Sequence, residues 1–214
     1  MKSNVQVIFD ELFTRYPALL TCKDEIAEAY DILKACYTNH GKVLICGNGG
    51  SASDSDHIVG ELMKGFLLRR PVADAEKNEL CAKYGDIGTY LASNLQGALP
   101  AINLTAQSAI QTAFANDVAP DMVFAQQVYG YANASDVVIG LSTSGNSANV
   151  VNAAMIAKHK NAYVISMTGI SGGKLNALSD VCIKVPEKET YKIQELHLPV
   201  YHALCAMIET HFFG

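Results

Sequence analysis

The sequence predicts an α/β fold, a three-layer sandwich in which helices cover both faces of a mostly parallel, five-stranded sheet. Short apolar runs alternate with segments of helical periodicity through most of the 214 residues. Two of these runs end in a loop of glycine or hydroxyl residues that leads directly into a helix, an arrangement typical of ligand-binding parallel sheets. Half of the residues are hydrophobic, which is enough for a substantial core. We therefore expect a single domain over residues 1–214.

Composition and charge argue against several classes of function. The net charge is −5, so there is no basic footprint for nucleic acid. No apolar run reaches the roughly 18 residues that span a membrane, and the N-terminal segment mixes acidic and polar residues into its apolar pattern, unlike a signal peptide. The six cysteines form no C-x-x-C pair, which indicates reduced thiols in a cytoplasmic protein.

Two amphipathic helices are predicted within residues 1–40, ahead of the α/β pattern. The first ends before Pro17, and the second begins near Thr21, a suitable N-cap, and stops at residues 39–41. Helices that precede the sheet with wide apolar stripes suggest a helical interface between subunits. The alternative is that both helices simply cover the sheet.

The most informative stretch begins with a strand at residues 43–46. A glycine turn, Gly47–Ser51, follows it and opens into a helix predicted to reach about Leu68. Such a turn aims backbone N–H groups at an anion. On the helix, His57 and Glu61 are four residues apart and share a face, so together they could move protons or hold a metal. The alternative is a solvated helical pair worth a few tenths of a kcal/mol.

Residues 67–99 are polar and mixed, and they predict a helical insertion over the sheet edge or the mouth of a site. Its two helices, Asp74–Tyr84 and Ile87–Leu95, are separated by Gly85. Beyond the insertion, the pattern predicts strands near residues 100–104, 136–141, 162–167 and 181–185, and a last helix over about 191–212.

A second loop, which we call the hydroxyl loop, spans Ser142–Ser147 and follows the strand at residues 136–141. Its hydroxyl residues are Ser142, Thr143, Ser144 and Ser147. They lie where open α/β sheets bind ligands, and with free helix N–H groups they could surround a phosphate. Ordinary N-capping would need only one of them. No Gly-Lys-Ser/Thr and no G-x-G-x-x-G is present, so no nucleotide cofactor is expected.

The motifs GNGGS, STSGNS and IQELH, in this order, resemble the SIS (sugar isomerase) family and, within it, phosphoheptose isomerases. The resemblance implies the SIS fold and an aldose–ketose isomerase that interconverts sedoheptulose 7-phosphate and D-glycero-D-manno-heptose 7-phosphate through an enediol. It also implies a homotetramer with sites built between subunits. The alternatives are an isomerase for another sugar phosphate, and a non-catalytic SIS adaptor that binds the replication initiator protein. The presence of both Glu61 and His202 favours an enzyme.

The resemblance implies roles for matching positions. Glu61 would be the catalytic base and His202 its acid–base partner. A zinc ion would be held by His57, Glu61, Gln194 and His202. The substrate would be bound by Asn48, Gly49, Gly50, Ser51, Asn116, Asp117, Ser142, Thr143, Ser144, Ser147 and Gln194.

These residue types suit the chemistry. Moving a proton between adjacent carbons needs a base at carbon and a group that exchanges protons with oxygen, and a metal could polarise the carbonyl instead. By helical angle Gln194 faces His197 better than His202, so the assignment of His202 rests on the resemblance. Pro199 predicts a kink or a break in the last helix.

Overall fold

The computed structural model describes all of the chain, Met1–Gly214. The five strands are β1 (Val43–Cys46), β2 (Ala101–Asn103), β3 (Val137–Leu141), β4 (Tyr163–Thr168) and β5 (Val181–Lys184). The nine α-helices are α1 (Ser3–Arg15), α2 (Lys23–Thr38), α3 (Gly50–Met63), α4 (Asp74–Asn94), α5 (Ser108–Asp117), α6 (Val123–Tyr131), α7 (Ala148–His159), α8 (Leu175–Leu178) and α9 (Thr190–Phe213). Measured by length and apolar character together, none of these helices could cross a bilayer.

All five strands are parallel and lie in the order β2-β1-β3-β4-β5, which confirms the predicted class. Val43 of β1 lies opposite Ala101 on one side and Val137 on the other. The chain moves from β1 outward to β2 and then crosses back to β3, so the direction of strand addition reverses between β1 and β3. The loops after β1 and β3 therefore flank the crevice in which open α/β sheets bind their ligands.

Helices cover both faces of the sheet, as a three-layer sandwich requires. The larger apolar cluster, of 34 buried residues, joins one face to α1, α2, α3 and α9, and the smaller, of 16, joins the other face to α6, α7 and α8. Of the two N-terminal helices, α2 packs on β3 and β5 as well as on α9, whereas α1 packs chiefly on α9. The alternative of simple sheet coverage therefore fits α2 better than α1.

Two helix boundaries in the first half of the chain differ from the prediction. The second helix begins at Lys23 because residues 17–22 form a 3-10 helix, in which the Thr21 hydroxyl bonds the Ala18 carbonyl instead of capping α2. The third helix ends at Met63, five residues before Leu68, where the backbone turns to an extended conformation.

The helix α9 runs without a break through Pro199, contrary to a split at this residue. A proline in a helix removes one N–H donor. The helix persists because nearly all of its side chains from Pro199 to Thr210 are buried in the core. The packing of α9 in the core thus outweighs the unfavourable effect of proline on the helix.

The insertion forms α4 and projects from the domain. Gly85 has φ +59° and divides α4 into two halves, as predicted. The halves lie so close that a Cβ on Gly88 would stand 2.0 Å from the Leu80 carbonyl oxygen. At the base, Pro71 and Gln96 form an antiparallel bridge, so the segment leaves and rejoins the domain at one place. The rest of α4 barely touches other helices or strands.

A buried ion pair explains why α3 ends early. The Glu209 carboxylate on α9 is fully buried, lies 2.7 Å from Arg70 Nε, and is paired with an equally buried guanidinium. It also accepts hydrogen bonds from three successive backbone N–H groups, those of Phe66, Leu67 and Leu68. These N–H groups would have bonded carbonyls of α3 if the helix had continued.

Arg70 connects the C-terminal end of α3 to the Glu209 carboxylate through hydrogen bonds. Its Nη1 donates to the Leu62 carbonyl at 2.7 Å and its Nη2 to the Glu61 carbonyl at 3.0 Å. These carbonyls belong to the last turn of α3, where the helix leaves them without partners. The ion pair therefore fixes the C-terminal end of α3 against α9.

We expect Glu209→Gln to lower the free energy of unfolding by about 3–5 kcal/mol, because it leaves the Arg70 charge buried and unpaired. Burial raises the pKa of Glu209, but hydrogen bonds from Phe66, Leu67 and Arg70 outweigh this and lower it below 4.5. The stability from Glu209 is thus present above pH 4.5 and is lost as the pH falls through the lowered pKa. Urea unfolding at pH 7 and at decreasing pH measures both effects, with exposed Glu28→Gln as control. Equal stability of the two variants at pH 7 would contradict the prediction.

Candidate active site

Three predicted residues meet where α3 packs on α9, and we call them the acid–base cluster: His57, Glu61 and His202. His57 Nε2 lies 3.3 Å from Glu61 Oε1 and 3.4 Å from His202 Nε2. The other oxygen of Glu61 lies 3.4 Å from Lys64 Nζ. The helical spacing of His57 and Glu61 places both on the face of α3 that meets α9. The structure thus brings a carboxylate and two imidazoles together.

His197, the competitor suggested by helical angle, has a different environment. Its side chain is fully buried, with Nε2 3.3 Å from the Thr168 carbonyl oxygen of β4 and Nδ1 without a partner. Burial lowers the pKa of His197 to about 4, with the Thr168 hydrogen bond acting in the opposite direction. His197 is therefore a neutral histidine of the core, and His202 is the α9 histidine that reaches the cluster.

The environment of His202 favours a neutral imidazole. Burial lowers the pKa of His202 below 6.5, the nearby His57 lowers it further, and Glu61 acts in the opposite direction. A neutral ring has one N–H donor and one nitrogen acceptor. His202 can therefore either donate or accept a proton at neutral pH, as an acid–base partner must.

Sequence reasoning missed two residues behind the cluster: Tyr201, which contacts His57, and Asp54, which contacts Tyr201. The Tyr201 hydroxyl lies 3.1 Å from His57 Nδ1 and donates to Asp54 Oδ1 at 3.1 Å. Asp54 precedes His57 by three residues and Glu61 by seven. This spacing places it on the same face of α3, so helical periodicity could have identified it. Tyr201 comes from α9, and no sequence signal pairs it with α3.

The glycine turn separates β1 from α3 and has an open side. Gly49 is the N-cap of α3 at φ +56°, and no atom lies within 4 Å of the position its Cβ would take. Gly50 faces the protein, where a Cβ would stand 2.7 Å from Gln194 Nε2. Ser51 is buried below the turn. The turn therefore presents backbone to solvent on one side and receives the Gln194 side chain on the other.

A pair of amides joins the glycine turn to the region of the hydroxyl loop. Asn48 Nδ2 donates to Asn149 Oδ1 at 2.9 Å, and Asn149 Nδ2 donates back to Asn48 Oδ1 at 2.9 Å. Asn149 lies in the first turn of α7, directly after the loop. Sequence reasoning did not identify Asn149, because its role depends on the contact with a residue 101 positions away.

The hydroxyl loop is held by its own side chains. Ser142 Oγ lies 2.9 Å from Ser147 Oγ, and the Asn146 N–H donates to Ser144 Oγ at 3.1 Å. Ser147 occupies the N-cap position of α7, but its side chain does not cap the helix. Thr143 is half-buried. The loop thus has hydroxyls beside the uncapped start of a helix, the environment predicted for a phosphate.

Three predicted residues lie apart from the acid–base cluster. Gln194 precedes His202 by eight residues, roughly 12 Å along α9, and its side chain rests on Gly50. Asn116 and Asp117 are exposed in the last turn of α5, where Asn116 Nδ2 donates to Asp117 Oδ1 at 2.9 Å. Their described contacts join them to each other and to no other predicted site residue.

The donors of the acid–base cluster are of types that bind zinc. However, His57 lies between Glu61 and His202, and the three side chains do not surround a common point. Two ligands of a tetrahedral zinc ion lie about 3.3 Å apart, similar to the two separations from His57 Nε2. However, no three His, Cys, Asp or Glu side chains converge as a metal site requires. The side chains would have to close around an ion.

The sequence and the fold are similar to those of known proteins. The family model described as "SIS domain" matches residues 15–78 and 81–169, so the match continues through most of the insertion. A phosphoheptose isomerase of Rhodospirillum rubrum is 37% identical over 188 residues, which cover 88% of this chain and 86% of that protein. One of Helicobacter pylori is 37% identical over 195 residues, 91% of this chain and 88% of that protein.

A solved structure supports the same conclusion. The phosphoheptose isomerase of Neisseria gonorrhoeae superposes with a TM-score of 0.73 and 32% identity, over 98% of both chains. The chain therefore belongs to the SIS domain family, and the three relatives described above are phosphoheptose isomerases. The family expected from the three sequence motifs is confirmed.

Proposed function

We propose that this protein is an aldose–ketose isomerase that interconverts sedoheptulose 7-phosphate and D-glycero-D-manno-heptose 7-phosphate. The acid–base cluster is the observation that carries the proposal, because it joins a carboxylate to a neutral imidazole. The phosphoheptose isomerases among the relatives support the choice of substrate.

The two groups have separate tasks in the reaction. Glu61 takes the proton from the carbon next to the carbonyl and returns it to the neighbouring carbon, with an enediol between the two steps. His202 donates a proton to the carbonyl oxygen when the enediol forms, and takes the proton of the other hydroxyl when the enediol collapses to the product. No net oxidation occurs, since the same electrons move from one carbon to the other.

The substrate phosphate is assigned to the hydroxyl loop. Hydroxyls of Ser142, Thr143, Ser144 and Ser147 and the start of α7 supply donors without a positive charge. Asn48, Gly49 and Gly50 form the wall along the sugar, with Asn116, Asp117 and Gln194 as further contacts to its hydroxyls. The hydrogen bonds between Asn48 and Asn149 hold this wall at a fixed position relative to the hydroxyl loop.

We expect Glu61→Gln to abolish isomerisation while leaving substrate binding largely intact, because an amide cannot accept the carbon-bound proton. The measurement is deuterium incorporation from deuterium oxide into sedoheptulose 7-phosphate, followed with formation of the aldose. The control is Glu28→Gln on α2, which should exchange as the unaltered protein does. Turnover by Glu61→Gln would refute the role of Glu61, and activity confined to another sugar in a panel of five- to seven-carbon phosphates would refute the substrate.

Zinc is proposed as the metal of the acid–base cluster, with His57, Glu61 and His202 as ligands and Gln194 as the fourth. When bound, such an ion polarises a carbonyl oxygen. The donor types and the separations of 3.3 Å and 3.4 Å support the assignment. Gln194 would have to leave its place against Gly50.

If this assignment is right, protein purified without chelator should contain one zinc ion per subunit by elemental analysis. His57→Ala should lose it, because His57 contacts both other residues of the cluster. Gln194→Ala separates the contribution of the fourth ligand, and His159→Ala at the end of α7 is the control for nonspecific histidine binding. Equal zinc content in His57→Ala and His159→Ala would exclude this site.

We also propose that the protein is a homotetramer whose active sites are built between subunits. Glu61 lies eleven residues along α3 from Gly50, roughly 16 Å at 1.5 Å per residue. The hydroxyl loop is joined to the Gly50 end through Asn149. This separation supports a site in which the hydroxyl loop of one subunit faces the acid–base cluster of another. The exposure of His57, 44% of its side chain, leaves room for that subunit.

The helix α4 supplies a surface for such contacts with a second copy of the chain. Ile87 and Tyr90 are both 68% exposed, and Leu91 and Leu95 continue the apolar stripe at helical spacing. The break at Gly85 divides α4 into two halves that are each short enough to be marginal in water, and α4 has little packing against other helices or strands. Burial of the stripe in an oligomer would supply the packing that stabilises α4.

We expect Ile87→Glu to reduce the oligomer, because it places a charge within the apolar stripe. Light scattering coupled to size exclusion should give the mass of four 23.0 kDa subunits for the unaltered protein and a lower mass for the variant. Ser93→Glu adds the same charge outside the stripe and should keep the full mass. A monomeric unaltered protein would contradict the proposal.

The cysteines support a cytoplasmic location. All six are free, and five are buried. Burial raises the pKa of Cys46 and Cys205 to about 12, so these thiols have little thiolate at neutral pH. A core that contains unpaired thiols is typical of a reducing compartment.

A further inference from the structure

Behind the acid–base cluster, one hydroxyl connects α9 to two side chains of α3. The oxygen of Tyr201 lies 3.1 Å from His57 Nδ1 and 3.1 Å from Asp54 Oδ1. The Tyr201 side chain is 2% exposed, and its ring meets the His57 ring edge to face at 5.6 Å. Neither Tyr201 nor Asp54 has a part in the proton transfers described above.

The chemistry of the three groups fixes the direction of both hydrogen bonds. A carboxylate only accepts, so the single proton of the Tyr201 hydroxyl is directed to Asp54. A phenol ordinarily titrates at about pH 10, so at neutral pH the hydroxyl keeps that proton. The remaining lone pairs of the oxygen face His57 Nδ1, which must therefore carry a hydrogen and donate.

We propose that Tyr201 and Asp54 act as a positioning pair that holds neutral His57 with its hydrogen on Nδ1, which leaves the Nε2 lone pair facing Glu61 and His202. A neutral imidazole has one nitrogen-bound hydrogen, so a hydrogen held on Nδ1 leaves Nε2 without one. In the opposite tautomer, His57 would instead donate from Nε2 to Glu61 Oε1, 3.3 Å away, and occupy the lone pair of the base.

The consequence for the cluster is a Glu61 carboxylate that His57 does not engage as a donor. His202 can donate its Nε2 hydrogen to His57 Nε2 across 3.4 Å, which orients the His202 ring. The single lone pair of His57 Nε2 then accepts that hydrogen, or binds a cation that displaces it, while the lone pairs of Glu61 stay free to accept a proton. Partners behind a ligand or catalytic histidine commonly set its tautomer in this way.

A simpler explanation is that Tyr201 only fills the core. It predicts that phenylalanine would serve as well, since the rings contact His57 and His202 edge to face. The two explanations differ in whether the Tyr201 hydroxyl is required. Tyr201→Phe removes this group and keeps the ring, and Asp54→Ala removes the acceptor without a penalty in helix propensity.

The chain contains a matched control. Tyr30 is also a buried tyrosine whose hydroxyl lies 3.0 Å from Nδ1 of a histidine, His211, near the C-terminal end of α9. Tyr30→Phe therefore removes the same kind of hydrogen bond away from the cluster. It should leave His57 and the kinetics as they are.

The experiment measures the tautomer of His57 directly by long-range proton–nitrogen NMR of the imidazoles in chelator-treated protein, at a pH where they are neutral. The His57 signals are assigned by their loss in His57→Gln. We expect a hydrogen on Nδ1 in the unaltered protein and in Tyr30→Phe, and a shift of the population toward Nε2 in Tyr201→Phe and Asp54→Ala. A hydrogen on Nε2 in the unaltered protein, or a tautomer that both variants leave unchanged, would overturn the proposal.

The kinetic consequence rests on the function proposed above and is measured separately. Tyr201→Phe should lower kcat for isomerisation about 10- to 100-fold with KM unchanged, the usual cost of losing such a partner. Unchanged kcat in a variant whose tautomer has shifted would show that the pair does not serve catalysis. A protein that isomerises no sugar phosphate but keeps the tautomer would refute the function and leave the positioning pair intact.

Discussion

The buried pair of Arg70 and Glu209 is the interaction on which the geometry of the site depends. Glu209 on α9 holds the segment after α3 by its N–H groups, and Arg70 holds the last carbonyls of α3 itself. At the other end of the same two helices, Gln194 rests on Gly50. The helices are thus fixed at both ends, and His57 and His202 meet between them. Two buried charges are tolerable here because each has several hydrogen-bond partners.

The sheet and the helix pair have different tasks. The parallel strands end in the glycine turn and the hydroxyl loop, which expose backbone N–H groups and small hydroxyls suited to a phosphorylated sugar. The side chains of the acid–base cluster stand on α3 and α9, where packing controls their separation. Under the proposed function, binding and chemistry therefore have separate supports. The helix α3 joins them, because it begins at the glycine turn and carries His57 and Glu61.

The sequence predicted the features that local patterns encode. The apolar runs located β1 and β3 with their loops, and helical periodicity placed His57 beside Glu61. The end of α3 could not be predicted, because it depends on Glu209, more than 140 residues later in the chain. Tyr201 and Asn149 were missed for the same reason: each acts through a contact across the fold. The position of His202 followed only from a resemblance, since helical angle alone pointed to His197.

The bridge between Pro71 and Gln96 has a consequence for how this protein can diverge. Because α4 leaves and rejoins the domain at one place, its length and sequence can change without moving the strands or the acid–base cluster. The Gly97 N–H bonds the Arg70 carbonyl at 2.7 Å, so the bridge also closes off the buried ion pair from such changes. Evolution can therefore rework this outward surface, and with it the contacts between subunits, without moving the acid–base cluster within a subunit.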